Sequence, residues 1–79
     1  MFYYLYVLKS LKDDKLYIGT TENLIRRIKE HQSGKVTSTK SRLPLKLIYY
    51  EAYTDENKCS KQELFYKSGI GREALKHKV

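Results

Sequence analysis

A small α/β domain is what this sequence predicts, and three observations carry the prediction. Two apolar, strand-like runs lie close together, around Tyr4-Leu5-Tyr6 and Tyr17-Ile18-Gly19, with a polar turn between them. A stretch with helical spacing follows at once. A third strand-like run, Leu45 to Tyr53, then leads into a second helical stretch. No repeat, linker or low-complexity tract interrupts the chain, so residues 1–79 read as a single domain near the lower edge of what folds alone. In so small a domain, chemistry and binding share one surface.

Phe2 to Leu8 is nearly all aromatic and aliphatic, as expected of a strand covered on both faces. Lys9 to Lys15 is polar, with Asp13-Asp14 supplying turn chemistry, and Leu16 to Gly19 reads as the second strand of a hairpin. Tyr4 and Tyr6 share a face, and Tyr17 opposes Leu16 and Ile18. The turn register decides whether the Tyr6 and Tyr17 rings are neighbours. Thr20 or Thr21 is positioned to cap a helix through His31, with Glu22 in its first turn. Leu24, Ile25 and Ile28 form its predicted buried stripe, while Arg26, Lys29 and Glu30 face solvent. Arg27 and His31 lie one turn apart at the edge of that stripe.

Ser33 to Pro44 is a loop in which Thr37, Ser38, Thr39 and Ser41 alternate with Lys35, Lys40 and Arg42. These donors suit phosphate contacts, although composition alone equally describes a mobile polar loop. Pro44 limits the start of the third strand. Thr54 or Asp55 caps the second helix, Gly69 is expected to end it, and Arg72 to Lys78 predicts a short final helix. On the second helix Cys59, Gln62, Phe65 and Tyr66 gather on one side. Glu63 falls at the margin of that stripe, with Lys58, Lys61 and Lys67 further round.

Sixteen Lys and Arg against nine Asp and Glu give a net charge of +7, which favours a polyanionic partner without identifying it. Eight tyrosines contribute to the 41% hydrophobic content, enough for one modest core. The single cysteine, Cys59, excludes an internal disulfide and a cysteine zinc cage, and fits a reducing compartment. No apolar run approaches the roughly 20 residues that span a bilayer. The opening Met1 to Leu8 lacks a basic leader, so a cytoplasmic protein is expected.

A phenol, a guanidinium and a carboxylate suit metal-assisted phosphodiester hydrolysis. Glu63 offers one oxygen ligand to Mg²⁺ or Mn²⁺, which fills its other positions with waters and substrate oxygens. Arg27 offers paired donors to a phosphate oxygen. Tyr6 is a poor base unless cations such as Arg27 and Lys9 lower its pKa, and His31 can move a proton or orient a phosphate oxygen. Taken singly, Arg27 reads as a snorkelling side chain and Glu63 as half of an ion pair. Competing signatures are missing: Gly69-Ile70-Gly71 is too weak for a nucleotide loop, Cys59 lacks a histidine partner, and His77 sits in a basic tail.

Tyr4-Leu5-Tyr6 and Tyr17-Ile18-Gly19 resemble the two signature strings of the GIY-YIG nuclease superfamily. Its members include homing endonucleases, some restriction enzymes and the incision subunit of bacterial excision repair. The resemblance continues through Thr20 to His31, Leu43 to Glu51, and Gln62-Glu63 to Arg72, and so covers nearly the whole chain, in the manner of the small standalone bacterial branch. It implies a compact α/β (α+β) fold, a three-stranded antiparallel sheet flanked by helices. Tyr6 then matches the proposed general base and Tyr17 the tyrosine that orders water or a proton path. Arg27 contacts the scissile phosphate, His31 assists, Glu63 holds one divalent metal, and Gly19 lets the backbone pass close to the site. Lys9, Lys35, Thr39, Lys40 and Arg42 are the expected nucleic-acid contacts. Two departures stand out: Tyr4 occupies the glycine position of the first string, and no asparagine follows Glu63.

The expected activity is a metal-dependent endonuclease acting on DNA, structure-selective or weakly specific unless a protein partner or homodimer adds selectivity. DNA repair is one pathway this implies, and RNA is an alternative substrate. The alternative function is a basic DNA- or RNA-binding module that keeps the fold without turnover. A third reading is a domain completed by a protein partner.

Overall fold

A computed structural model describes all 79 residues. The chain forms β1 (Tyr3–Ser10), β2 (Leu16–Thr21), α1 (Leu24–Gln32), a 3-10 turn (Lys40–Arg42), β3 (Leu45–Tyr53), α2 (Glu56–Lys67) and α3 (Gly69–Lys76). The sheet has three strands in the order β2-β1-β3, antiparallel throughout. β1 is central, so both of its faces are buried, and this is why its sequence is apolar on consecutive residues rather than alternating. No helix is long and apolar enough to cross a membrane.

Alternation along β1 divides the core in two. Leu5 and Val7 pack with Ile18, Cys59, Tyr66 and Leu75 beneath α2 and α3. On the other face, Tyr6 and Leu8 pack with Leu45, Tyr17, Leu24 and Ile28 beneath α1.

Several boundaries differ from the sequence expectation. Thr20 and Thr21 are not helix caps, because they extend β2 and pair with Leu5 and Tyr4. Asn23 caps α1 instead, its side chain accepting from the Arg26 N–H, which leaves Glu22 outside the first turn. The buried stripe of α1 runs through Leu24, Ile28 and His31, and Ile25 is 72% exposed. His31 fills the third position because both of its ring nitrogens find partners. Gly69 does not end α2. The Ser68 hydroxyl donates to the Phe65 carbonyl (2.6 Å) and accepts from Gly71 N (3.1 Å), so one serine closes α2 and opens α3. Gly71 is the residue that must lack a side chain, since a Cβ there would lie 1.6 Å from the Phe65 carbonyl oxygen.

Behind the sheet, the Glu51 carboxylate accepts from the hydroxyls of Tyr49, Tyr53 and Tyr66, with Lys78 Nζ 3.6 Å away. This knot ties β3, α2 and the segment after α3 together. Burial pushes the Glu51 carboxyl up, but the three phenol hydrogen bonds together outweigh it and hold its pKa below the usual value. A depressed folded-state pKa gives stability that is full above the unfolded value, about 4.3, and is lost as pH falls through the folded value. Glu51→Gln is therefore expected to cost about 2–3 kcal/mol at pH 7. In urea unfolding the gap to wild type should narrow steadily below about pH 4; a gap that stays constant with pH would assign the knot to packing alone.

Candidate active site

The hairpin register places Tyr6 opposite Gly19 and Leu8 opposite Tyr17, so Tyr6 and Tyr17 share one face with ring centroids 6.4 Å apart. A Cβ at Gly19 would sit 2.5 Å from the Tyr6 hydroxyl oxygen. The glycine leaves the room in which the Tyr6 phenol lies across β2. α1 then brings two side chains onto that oxygen. His31 Nε2 is 2.9 Å from Tyr6 Oη, and Arg27 Nε donates to the same oxygen at 3.4 Å. The Tyr17 ring packs against His31 with centroids 5.1 Å apart.

Arg27 can only donate, so the Tyr6 oxygen accepts from it. The second ring nitrogen of His31, Nδ1, lies 2.8 Å from Thr39 Oγ1, and the hydroxyls of Tyr6 and Thr39 can each donate to or accept from the imidazole. Its pKa is lowered, chiefly by burial and next by the Arg27 charge, against a weaker opposing pull from Glu30, so the neutral imidazole is the resting form. Arg27 is held charged by its hydrogen bond to Tyr6 and by Glu30, whose Oε1 lies 3.1 Å from Nη1. Its Nη2 makes no hydrogen bond within the protein, and Arg27 is among the residues that line a cleft of about 400 Å³ between β2, α1 and α2.

The expectation that cations lower the Tyr6 pKa is corrected by its surroundings. Burial raises it and exceeds the lowering by the Arg27 hydrogen bond and charge, while the charges of Tyr17 and Glu63 raise it further. Lys9 takes no part, since strand alternation turns it to the opposite face, where it pairs with Asp14 at 3.7 Å. Glu63 stands on α2 with its side chain 23% exposed and accepts from Lys67 Nζ at 2.9 Å. It reaches the Tyr6 phenol through its electric field and not through a hydrogen bond.

Of the loop expected to meet nucleic acid, Lys35 and Lys40 are exposed. Thr39 is fully buried and bonded to His31, so it is a positioning group and not a surface contact. Arg42 is largely buried, with Nε 3.5 Å from Asp13 Oδ2. Glu30, expected in solvent, instead holds Arg27, and its spacing three residues along the helix is the signal that identifies such a partner. No periodicity marks the Thr39–His31 contact. Cys59 is buried and its thiol is pushed up by that burial, consistent with the absence of a histidine partner.

Thr39→Val keeps the shape of the side chain while deleting the hydroxyl partner of His31 Nδ1. Nitrogen NMR of the histidine should then show the proton redistributing between Nδ1 and Nε2, with a stability loss of about 1–3 kcal/mol for the unpaired ring nitrogen. Thr39→Ser should restore the wild-type pattern. An unchanged tautomer in the valine variant would remove Thr39 from the network.

Comparison with known proteins adds four findings. The model of the GIY-YIG catalytic domain matches residues 2–74. A UPF0213 protein of Lactiplantibacillus plantarum is 42% identical over 78 residues, covering 95% of this chain and 76% of that protein. Another from Pediococcus acidilactici is 37% identical over 78 residues, covering 95% and 79%. The solution NMR structure of a UPF0213 protein from Bacillus halodurans is similar at a TM-score of 0.59 and 35% identity, covering 95% of this chain and 82% of that one.

Proposed function

Because this chain belongs to the GIY-YIG catalytic-domain family, we propose that it is a divalent-metal-dependent endonuclease hydrolysing DNA phosphodiester bonds, structure-selective or weakly specific. The observation that carries this reading is the continuous hydrogen-bonded series Arg27–Tyr6–His31–Thr39. The free Nη2 of Arg27 suits a non-bridging oxygen of the scissile phosphate, where charge accumulates in the transition state.

Once substrate and water reach the Tyr6 oxygen, which is buried in the free protein, Tyr6 takes the proton of the attacking water while its own hydroxyl proton passes to His31 Nε2. The resulting hydroxide forms the new bond to phosphorus as the bond to the leaving oxygen breaks, and that oxygen takes a proton from solvent water. A relay of this kind removes the difficulty of the raised Tyr6 pKa, because no free phenolate need accumulate. Neutral His31, in the tautomer that carries its proton on Nδ1, is the acceptor in this reading, and Thr39 holds the ring so that Nε2 faces Tyr6.

Glu63 is the residue that would hold the metal. No group of three or more His, Cys, Asp and Glu gathers in the protein, so Glu63 would be the one protein ligand, and a hard cation such as Mg²⁺ or Mn²⁺ would keep waters at its other positions. When bound, the metal polarises the phosphate and offsets its charge. Lys67 bonds only Oε2 of Glu63, which leaves Oε1 for the metal.

The test is an endpoint assay on supercoiled plasmid, single strands, flaps and branched duplexes with Mg²⁺ or Mn²⁺, each repeated with EDTA. Cleavage that EDTA abolishes supports the nuclease. A second reading is a non-catalytic DNA-binding module, favoured by the lack of an asparagine after Glu63. Binding without cleavage across the panel, steeply salt-dependent and indifferent to metal, selects it.

A further inference from the structure

Charge is distributed unevenly around the site. The cleft beside Arg27 carries Glu22, Glu30 and Glu56. On the other side of Tyr17 lies a wider groove, about 660 Å³, between β2, α2 and α3. Its ionisable lining includes Lys15, Arg42, Lys67, Arg72 and Lys76, with no carboxylate among the lining residues. Five cations in one groove repel one another and need a counter-charge. Within the protein, Arg42 meets Asp13, Lys67 meets Glu63 and Lys76 meets Glu73, but Lys15 and Arg72 pair with no carboxylate. Arg42 Nη2 is buried without a hydrogen-bond partner.

The groove is continuous with the catalytic residues at two points. Tyr17 lines it and also packs on His31. Lys67 lines it and stands one helical turn beyond Glu63, to which it bonds. A chain of phosphates lying along the groove would therefore pass Tyr17 and Lys67, the neighbours of His31 and Glu63.

We propose that this groove is the track for the DNA backbone flanking the scissile phosphate, with Lys15, Arg72 and Lys76 as its phosphate contacts and Arg42 as its floor. The inference rests on the reading of Tyr6, Arg27 and Glu63 as a hydrolytic site. Recognition by phosphates alone reads no bases, in keeping with weak sequence selectivity.

Binding of fluorescein-labelled single-stranded and duplex DNA, without metal, tests the groove independently of catalysis. The variant Lys15→Gln/Arg72→Gln/Lys76→Gln is compared with Lys29→Gln/Lys46→Gln/Lys58→Gln, which removes the same charge from outside the groove. The groove variant should lose about 10²-fold in affinity at about 0.1 M salt, and its log K against log salt slope should flatten by about 2 on single strands and about 3 on duplex. The control variant should stay near wild type, and both should melt like it. Equal losses in the two variants, or none in the groove variant, overturn the track. RNA bound more tightly than DNA of the same sequence overturns the assignment to DNA. Loss of binding in the groove variant, in a protein that cleaves nothing, would uphold the track while refuting the nuclease.

Discussion

Tyr6→Phe is expected to lower metal-dependent cleavage by about 10²–10⁴-fold, the range for removing a positioned proton-transfer group. The substitution deletes one oxygen from a buried position and keeps the ring that fills the core beside Leu8 and Leu45. That oxygen is where Arg27 and His31 meet, so its loss breaks the relay at its centre. Stability should also fall, by about 1–3 kcal/mol, because His31 Nε2 is left buried without a partner. DNA affinity should be nearly unchanged, since the substitution keeps Arg27 and the cationic groove that would meet the phosphates. Cleavage by Tyr6→Phe within a few-fold of wild type would show that water is deprotonated elsewhere. A second readout separates relay from structure. If His31 must be neutral, cleavage by wild type should hold down to about pH 6.5 and decline only below it, because the folded-state pKa of His31 lies under the ordinary value.

Glu63→Ala should abolish cleavage in Mg²⁺ and Mn²⁺ while leaving the fold intact. The carboxylate is partly exposed and its one hydrogen-bonded partner is the half-exposed Lys67, a pair of the kind that contributes only about 0.3–0.5 kcal/mol. DNA binding measured without metal should persist or tighten, because removing Glu63 frees Lys67 for phosphates. Together these outcomes distinguish a metal ligand from a structural ion pair. Residual metal-dependent cleavage in Glu63→Ala would sink the assignment of Glu63 and direct attention to the carboxylates of the cleft beside Arg27. Loss of cleavage together with a lowered melting temperature would instead favour the ion-pair reading.

Much of the architecture was legible because burial writes itself into short-range pattern. The consecutive apolar residues of β1 marked a central strand, and the Asp13-Asp14 turn marked the hairpin. Asp55, one of two expected caps, does cap α2. Where the reading went astray, a longer-range interaction had priority over a local signal. Thr20 and Thr21 are good caps by type, yet the ladder to β1 took them and left the cap to Asn23. Ile25 is more apolar than His31, but His31 is the one buried, because Tyr6 and Thr39 satisfy both of its nitrogens.

By itself, the sequence determined the strands and helices, the net positive charge, and the residue types from which a hydrolytic site could be built. These depend on periodicity and composition, which are local. Only the tertiary structure decided which of those residues meet. The hairpin register set Tyr6 beside Tyr17 and over Gly19, and the packing of α1 set Arg27 and His31 on the Tyr6 oxygen. Folding also turned Thr39 from a loop hydroxyl into the partner of a buried imidazole, and collected cations from four parts of the chain into one groove. The reason is physical: a hydrogen bond or a charged groove depends on separations of a few ångströms in space, and strand register and helix rotation fix those separations between residues distant in the chain.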